Sequence, residues 1–212
     1  MNPYAHSILS VRRRGGRIED YYPIHDFMDC TKELCSDNRH RILHTLWGVR
    51  RVVVPIFGSH LVNSDGRSVS VKDLCEQDHI LPDYGNKFIP TLEDFVAALS
   101  DVDPAESRKI DRIHSENDFT AEERDLLLSP LFATGKISSL LITHNSWFLN
   151  SILPRVLPSP ADIRIKDYEI SAGAFFTRLS FLRWMDNGEG TPPSYTGLVQ
   201  VLPRRYRNEI CG

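Results

Sequence analysis

At 212 residues, with 41% hydrophobic and 25% charged residues, the chain has the make-up of a globular protein of one domain or two small ones, long enough to bury a core. A net charge of -3 gives no overall polyanion-binding signature, and no apolar run nears the roughly 18–20 residues that span a bilayer. Cys30, Cys35, Cys75 and Cys211 form no CxxC pair or disulfide framework, and the first residues lack a basic-then-apolar leader, so reduced thiols and a cytoplasmic location are expected.

Residues 1–23 read as a short helix broken at Gly15-Gly16, then an extended entry ending at Pro23. Pro23 suits the start of a helix over about 24–35. After the Ser36-Asp37-Asn38 turn, a second helix is expected over about 39–54, ended by Pro55 and Gly58. Residues 61–71 alternate around Asp65-Gly66 and predict a β-hairpin. Helices are expected over 71–79 and from Thr91 to Leu99. Residues 100–119 are polar, contain Pro104 and predict a connector. A capping box at Thr120 and Glu123 opens another helix. A buried helix over 136–153, a strand over 163–170, a helix over 172–185 and a strand over 197–202 complete the chain, with no evident internal repeat. The expected class is α+β. It comprises a helix-rich N-terminal domain with a hairpin (1–99), a polar connector (100–119) and a smaller C-terminal α+β unit (120–212).

Residues 25–44 hold His25, Asp29, His40 and His44. On helices, residues four apart are neighbours, so His25/Asp29 and His40/His44 can each share a face. Two facing helices would then point four N and O donors at one place. That donor set suits zinc, manganese, iron or nickel better than calcium. Asp26 is a candidate supporting group, and Lys32 can neutralise an acid or anchor a phosphate. The competing reading makes the histidines ordinary carboxylate-bonded residues and Asp29–Lys32 a helix ion pair. Glu76-Gln77-Asp78-His79 with Asp83 offers a further histidine for the shell, or one favoured at a helix C-terminus.

Residues 1–60 carry nine bases and six acids, whereas 101–125 carry four bases and nine acids, so the basic excess lies around the histidines. Arg39 and Arg41 are candidates for holding a phosphate. No aromatic stacking pattern accompanies them, so nucleic-acid binding is not supported.

Several residues also fit a family pattern: His6, Gly15-Gly16, Glu19-Asp20-Tyr21, Pro23-Ile24-His25-Asp26-Phe27, Lys32, Arg39-His40-Arg41, His44, Gly48, Phe57-Gly58, Asn63-Ser64-Asp65-Gly66, Glu76-Gln77 with a nearby histidine, and Ile89-Pro90. Over residues 1–99 the chain resembles an unknown-function domain family of bacterial and phage proteins. Asp78 reads as an insertion between Gln77 and His79, and Asn86-Lys87 as another after Gly85. The resemblance implies a bacterial or viral origin and a polar set from His6 to His79. His25-Asp26 also resembles the paired residues of the HD phosphohydrolases, with His6 before and Asp78, Asp83 or Asp94 after, but that family is all-helical. The expected function is a phage or bacterial accessory protein with a His/Asp metal site, hydrolysing a phosphate ester or nucleotide. Alternatives are a non-enzymatic binder of a host nucleotide signal or host protein, in the host cytoplasm, and an oligomeric virion or assembly component.

Overall fold

The computed structural model describes residues 1–35, 38–96, 99, 101–158 and 170–179. It is helix-rich, with a single two-stranded antiparallel sheet among the described residues. The chain divides into two compact units, residues 1–97 with 181–212, and residues 98–180. The strands expected at 163–170 and 197–202 lie almost wholly outside the described residues.

The first unit opens with α1 (Pro3–Arg14), capped by the Asn2 side chain, which accepts from the Ala5 N–H. Helix α2 (Ile18–Met28) packs on it. It begins earlier than expected because Asp20 accepts from the Arg17 N–H at 2.7 Å, fixing the first turn. It also runs through Pro23. The hydrogen bond lost there is offset by burial of Tyr21, Ile24, His25, Phe27 and Met28.

The expected helix over 39–54 is displaced. Asn38–Leu43 forms tight 3₁₀ turns, and the helix proper starts after Thr45, whose hydroxyl accepts from the Gly48 N–H at 3.0 Å. This helix, α3, runs Leu46–Gly48, widens into a π turn over Val49–Val53 and closes over Val54–Phe57. Pro55 sits inside the last stretch, and Gly58 at φ 86° ends it.

Strands β1 (His60–Val62) and β2 (Ser68–Ser70) form the expected hairpin, with Leu61 opposite Val69. Helix α4 follows, as Val71–Asp73, a second wide turn over Leu74–Ile80, and Leu81–Asp83. Helix α5 is Leu92–Val96. Asp94 there serves as a cap, accepting from the Thr91 N–H and hydroxyl at 2.9 and 2.8 Å.

Many of the family-pattern residues meet in one knot between the α1–α2 turn and the hairpin turn. Asn63 Oδ1 accepts from the N–H groups of Asp65 and Arg67, while its amide donates to the Arg14 carbonyl and the Tyr21 hydroxyl. Tyr21 donates to the Gly15 carbonyl. Asp20 accepts from the Ser64 N–H and hydroxyl, and Asp65 from the Gly16 N–H. A Cβ on Gly15 would lie 2.5 Å from Asp65 Oδ2, and both glycines have positive φ.

In the second unit, the expected connector contains a helix, α6 (Pro104–Glu116). Asp103 and Glu106 cap it reciprocally, Pro104 starts it, and Ile110 and Ile113 bury one face. Its polar composition concealed a helix with a narrow apolar stripe. Helix α7 is Ala121–Thr134, opened by the expected Thr120–Glu123 box and ended by Gly135 in the left-handed conformation. The expected helix over 136–153 is again split: 3₁₀ turns at Ile137–Ile142, then, after Asn145, a helix with a π turn over Phe148–Ile152 that closes over Leu153–Val156. A short helix, Ala172–Thr177, follows Ser171.

The second unit thereby repeats an order found in the first. Asn145 Oδ1 accepts from the Phe148 N–H as Thr45 accepts from Gly48. Ser146 donates to the Ile170 carbonyl as Leu46 donates to that of Pro90. His44 and His144 directly precede the two caps, Trp47 and Trp147 follow two residues later, and π turns come next. The repeat lies mainly in backbone order and capping; its residue identities are confined to Ile42/Ile142, His44/His144 and Trp47/Trp147, too few to make a repeat evident in the sequence.

The knot is structural, so its loss should cost stability. Asn63→Ala removes the partner of the Arg14 carbonyl and of two turn N–H groups, and should destabilise the protein by about 2 kcal/mol. Urea unfolding measures this, and a change under about 0.5 kcal/mol would contradict the assignment.

Candidate metal centre

Five histidines and two aspartates of the first unit converge in its interior. His6, His25, His44 and His79 are completely buried, and His40 and Asp29 nearly so. Helix α1 supplies His6, α2 supplies His25 with Asp29 at its C-terminal end, the 3₁₀ turns supply His40 with His44 just after them, and α4 supplies His79 and Asp83. His40 and His44 do not share a helix face as expected; the bend between the 3₁₀ turns and α3 brings their rings to 5.6 Å.

The hydrogen-bond chain assigns the ring protons. The His6 Nδ1–H donates to the Asp78 carbonyl at 2.8 Å, which leaves Nε2 facing Asp83. Ser10 donates to the His6 carbonyl, so it accepts from the His25 Nε2–H at 2.9 Å. His25 Nδ1 then accepts from the His79 Nδ1–H at 3.0 Å, and His79 Nε2 is left as an acceptor facing His44 Nε2. His25 therefore stands behind His79 and orients it, in the manner of an outer partner of a ligating imidazole.

The remaining atoms face one another. His6 Nε2 has no hydrogen-bond partner and lies 3.2 Å from Asp83 Oδ1. His79 Nε2 lies 2.9 Å from His44 Nε2. Asp29 Oδ1, also without a hydrogen-bond partner, lies 3.5 Å from both His40 Nε2 and His44 Nε2 and 3.8 Å from His79 Nε2. Asp83 Oδ2 is 3.4 Å from His44 Nε2. His79 Nε2 and His44 Nε2 are at hydrogen-bond distance, whereas the 3.4–3.8 Å separations from the carboxylate oxygens exceed good hydrogen bonds and match the edges between ligands about 2.1 Å from a common ion. Two donor groups, His6/His79/Asp83 and Asp29/His40/His44, have their ligand atoms mutually within 4.8 Å and could each hold a metal ion.

Lys32 Nζ sits 2.6 Å from Asp29 Oδ2, and the Met1 ammonium contacts Asp83 Oδ1. Asp78 is fully buried but occupied: Arg13 reaches its Oδ1 at 2.9 Å and Arg14 its Oδ2 at 2.6 Å. Asp26 is exposed, so the adjacent pair suggested by the HD resemblance is not assembled. Arg41 stacks on Tyr84 with its guanidinium carbon 5.0 Å from the ring centroid, beside Asp83; Arg39 is half-buried.

Asp83 enters the sequence reading only beside His79 and as one of three late aspartates of the HD resemblance, although His79 and Asp83 are four apart, the spacing that singles out His25 and Asp29. The insertion read at Asp78 obscures that spacing. The wide turn over Leu74–Ile80 instead absorbs an extra residue, aiming Asp78 at the arginines and His79 at the cluster.

Burial lowers the His25 pKa to about 3 and that of His44 to about 4, in each case against the pull of nearby aspartates. Burial alone would raise the carboxyls, but the surrounding imidazoles outweigh it. Asp29, through His40, His79 and His44, and Asp83, through His44, His6 and His79, are held below the usual carboxylate range.

Residues 1–104 match the model of a family described as Domain of unknown function (DUF6915), so the N-terminal half carries an uncharacterised domain, as the sequence pattern implied. No family model matches the C-terminal half. No curated protein and no solved structure matches the chain. Among the described residues, no helix is long and apolar enough to cross a membrane.

The depressed histidines make the metal-free protein acid-sensitive. In the unfolded chain they bind protons below about pH 6.5, whereas in the fold they resist until about pH 4 and 3. Their contribution is complete above pH 6.5 and is lost as pH falls below it, by on the order of 1 kcal/mol per pH unit for each. Chelator-treated protein should therefore have a lower urea midpoint at pH 5 than at pH 7. Equal midpoints would contradict this.

Proposed function

We propose that the N-terminal domain binds a divalent transition metal ion through Asp29, His40 and His44, with His79 in support. The observation that carries this reading is Asp29 Oδ1, a buried anionic acceptor without a hydrogen-bond partner, facing two imidazole nitrogens at 3.5 Å each. An unpaired buried carboxylate oxygen is costly, and a cation at that point would satisfy it. Imidazole with carboxylate favours zinc, manganese, iron or nickel.

The activity proposed for such a centre is hydrolysis of a phosphate ester or nucleotide. Three protein donors leave coordination positions open, as in catalytic rather than closed structural sites. A metal bound there supplies Lewis acidity and acidifies water. Arg39 and Arg41 flank His40 in sequence, and Arg41 lies beside Asp83 through Tyr84; they would hold the phosphate. The completeness of the burial favours a second reading, in which the metal is structural and the protein binds a phosphate-bearing small molecule or a host protein without turnover. A phage or bacterial source and an intracellular setting belong to both readings.

Metal content tests the common core. Protein purified without chelator and reloaded should contain at least about one equivalent, and His44→Ala should lower metal affinity at least about tenfold, since even outer partners of ligands cost 10–100-fold. Circular dichroism should show the variant folded. Wild-type protein holding less than about a tenth of an equivalent of any transition metal would sink the proposal. Release of phosphate from a nucleotide panel by the loaded protein separates turnover from binding.

A further inference from the structure

We infer that the centre is dinuclear, with the Asp83 carboxylate bridging two metal ions; this rests on the metal-binding reading above and adds a second ion and the bridge. The two oxygens of Asp83 look in different directions. Oδ1 is 3.2 Å from His6 Nε2, and Oδ2 is 3.4 Å from His44 Nε2. His6 and His44 fall in separate donor groups, so one carboxylate faces both.

Each face calls for its own cation. On the first, His6 Nδ1 bonds the Asp78 carbonyl, and Nε2, completely buried and without a hydrogen-bond partner, is directed at a carboxylate oxygen 3.2 Å away. A cation held between that nitrogen and that oxygen would satisfy both. The Met1 ammonium at the same Oδ1 shows that this oxygen attracts one. On the second face, Asp29 Oδ1 is in the same position with respect to His40 and His44.

His79 stands between the groups. Its ring stacks on that of His6, with centroids 3.9 Å apart, while its Nε2 lies 2.9 Å from His44 Nε2. The proton chain through His25 and Ser10 fixes this orientation. The complete set is His6, His79 and Asp83 for one ion, and Asp29, His40, His44 and the second Asp83 oxygen for the other. The two carboxylates carry a charge of -2, offset by Lys32 on Asp29 and the Met1 ammonium on Asp83. Two divalent ions would overcompensate unless hydroxide or an anionic ligand joins them. A centre of this kind therefore suits an anion such as phosphate.

Manganous ion is the probe, because it accepts both imidazole and carboxylate and reports its neighbours magnetically. Full-length protein stripped with chelator and titrated with Mn(II) should saturate near two equivalents and give an exchange-coupled electron paramagnetic resonance spectrum. His6→Ala and His40→Ala should each retain one equivalent with an uncoupled six-line signal, and Asp83→Ala should abolish the coupling. Saturation of the wild type at one equivalent, or two equivalents with uncoupled signals, overturns the dinuclear centre but leaves the metal-binding reading standing. No binding at all overturns both. If a variant fails to fold, wild-type stoichiometry and coupling still decide.

Discussion

The N-terminal unit is organised around two carboxylates enclosed among imidazoles. Asp29 and Asp83 lie in the interior among five imidazoles, with one lysine on the first and the Met1 ammonium on the second. Removing such charges from water costs several kcal/mol each unless they are paired. The usual remedy, protonating neighbouring histidines, is opposed by burial, which keeps His25 and His44 neutral well below pH 6. Every helix of the unit that bears on this centre therefore packs against a polar interior. Tyr21, Met28, Ile42, Leu43, Val49 and Leu74 are fully buried in the same unit.

Two supporting devices hold the unit in register. Arg13 and Arg14, at the end of α1, grip Asp78 on α4, so the helices carrying His6 and His79 are tied together beside the cluster. The Asn63–Tyr21–Gly15 knot ties the hairpin to the turn between α1 and α2. The family pattern accordingly divides into two classes. His6, His25, Lys32, His40 and His44 belong to the centre. Gly15, Gly16, Asp20, Tyr21 and the Asn63–Gly66 turn belong to the knot. They appear together in a sequence pattern because the knot positions the helices that carry the histidines.

The hairpin, the α1 break at Gly15 and the capping boxes were legible in the sequence because each rests on local chemistry: Asp-Gly turns, positive φ, and side chains reaching three residues along. The convergence of His25, Asp29, His40 and His44 was suggested by spacing, although His40 and His44 meet through a bend. Three things were hidden. Asp83 was one of several late aspartates, and only tertiary packing sorts it from Asp78, held by arginines, and from Asp94, a helix cap. The wide turn in α4 has no compositional signature, so the extra residue at Asp78 read as a misplacement of His79. Helix α6 was masked by its charges, since two buried isoleucines make too thin a stripe to stand out.

The recurrence of capping and π turns in the second unit gives the molecule its own control. There the same order of elements closes around His144, at the place of His44, and its sole imidazole partner among the described residues is His114, at 2.8 Å. His144 Nδ1 donates to the Leu140 carbonyl and its Nε2 accepts from His114, so no nitrogen of that ring is left bare. The residue at the place of His40 is Leu140. The scaffold can thus be filled with ordinary apolar packing and one satisfied histidine pair. Caps and π turns of the same kind occur both with a gathering of histidines and carboxylates and without one, so the histidine cluster is not a requirement of that local architecture.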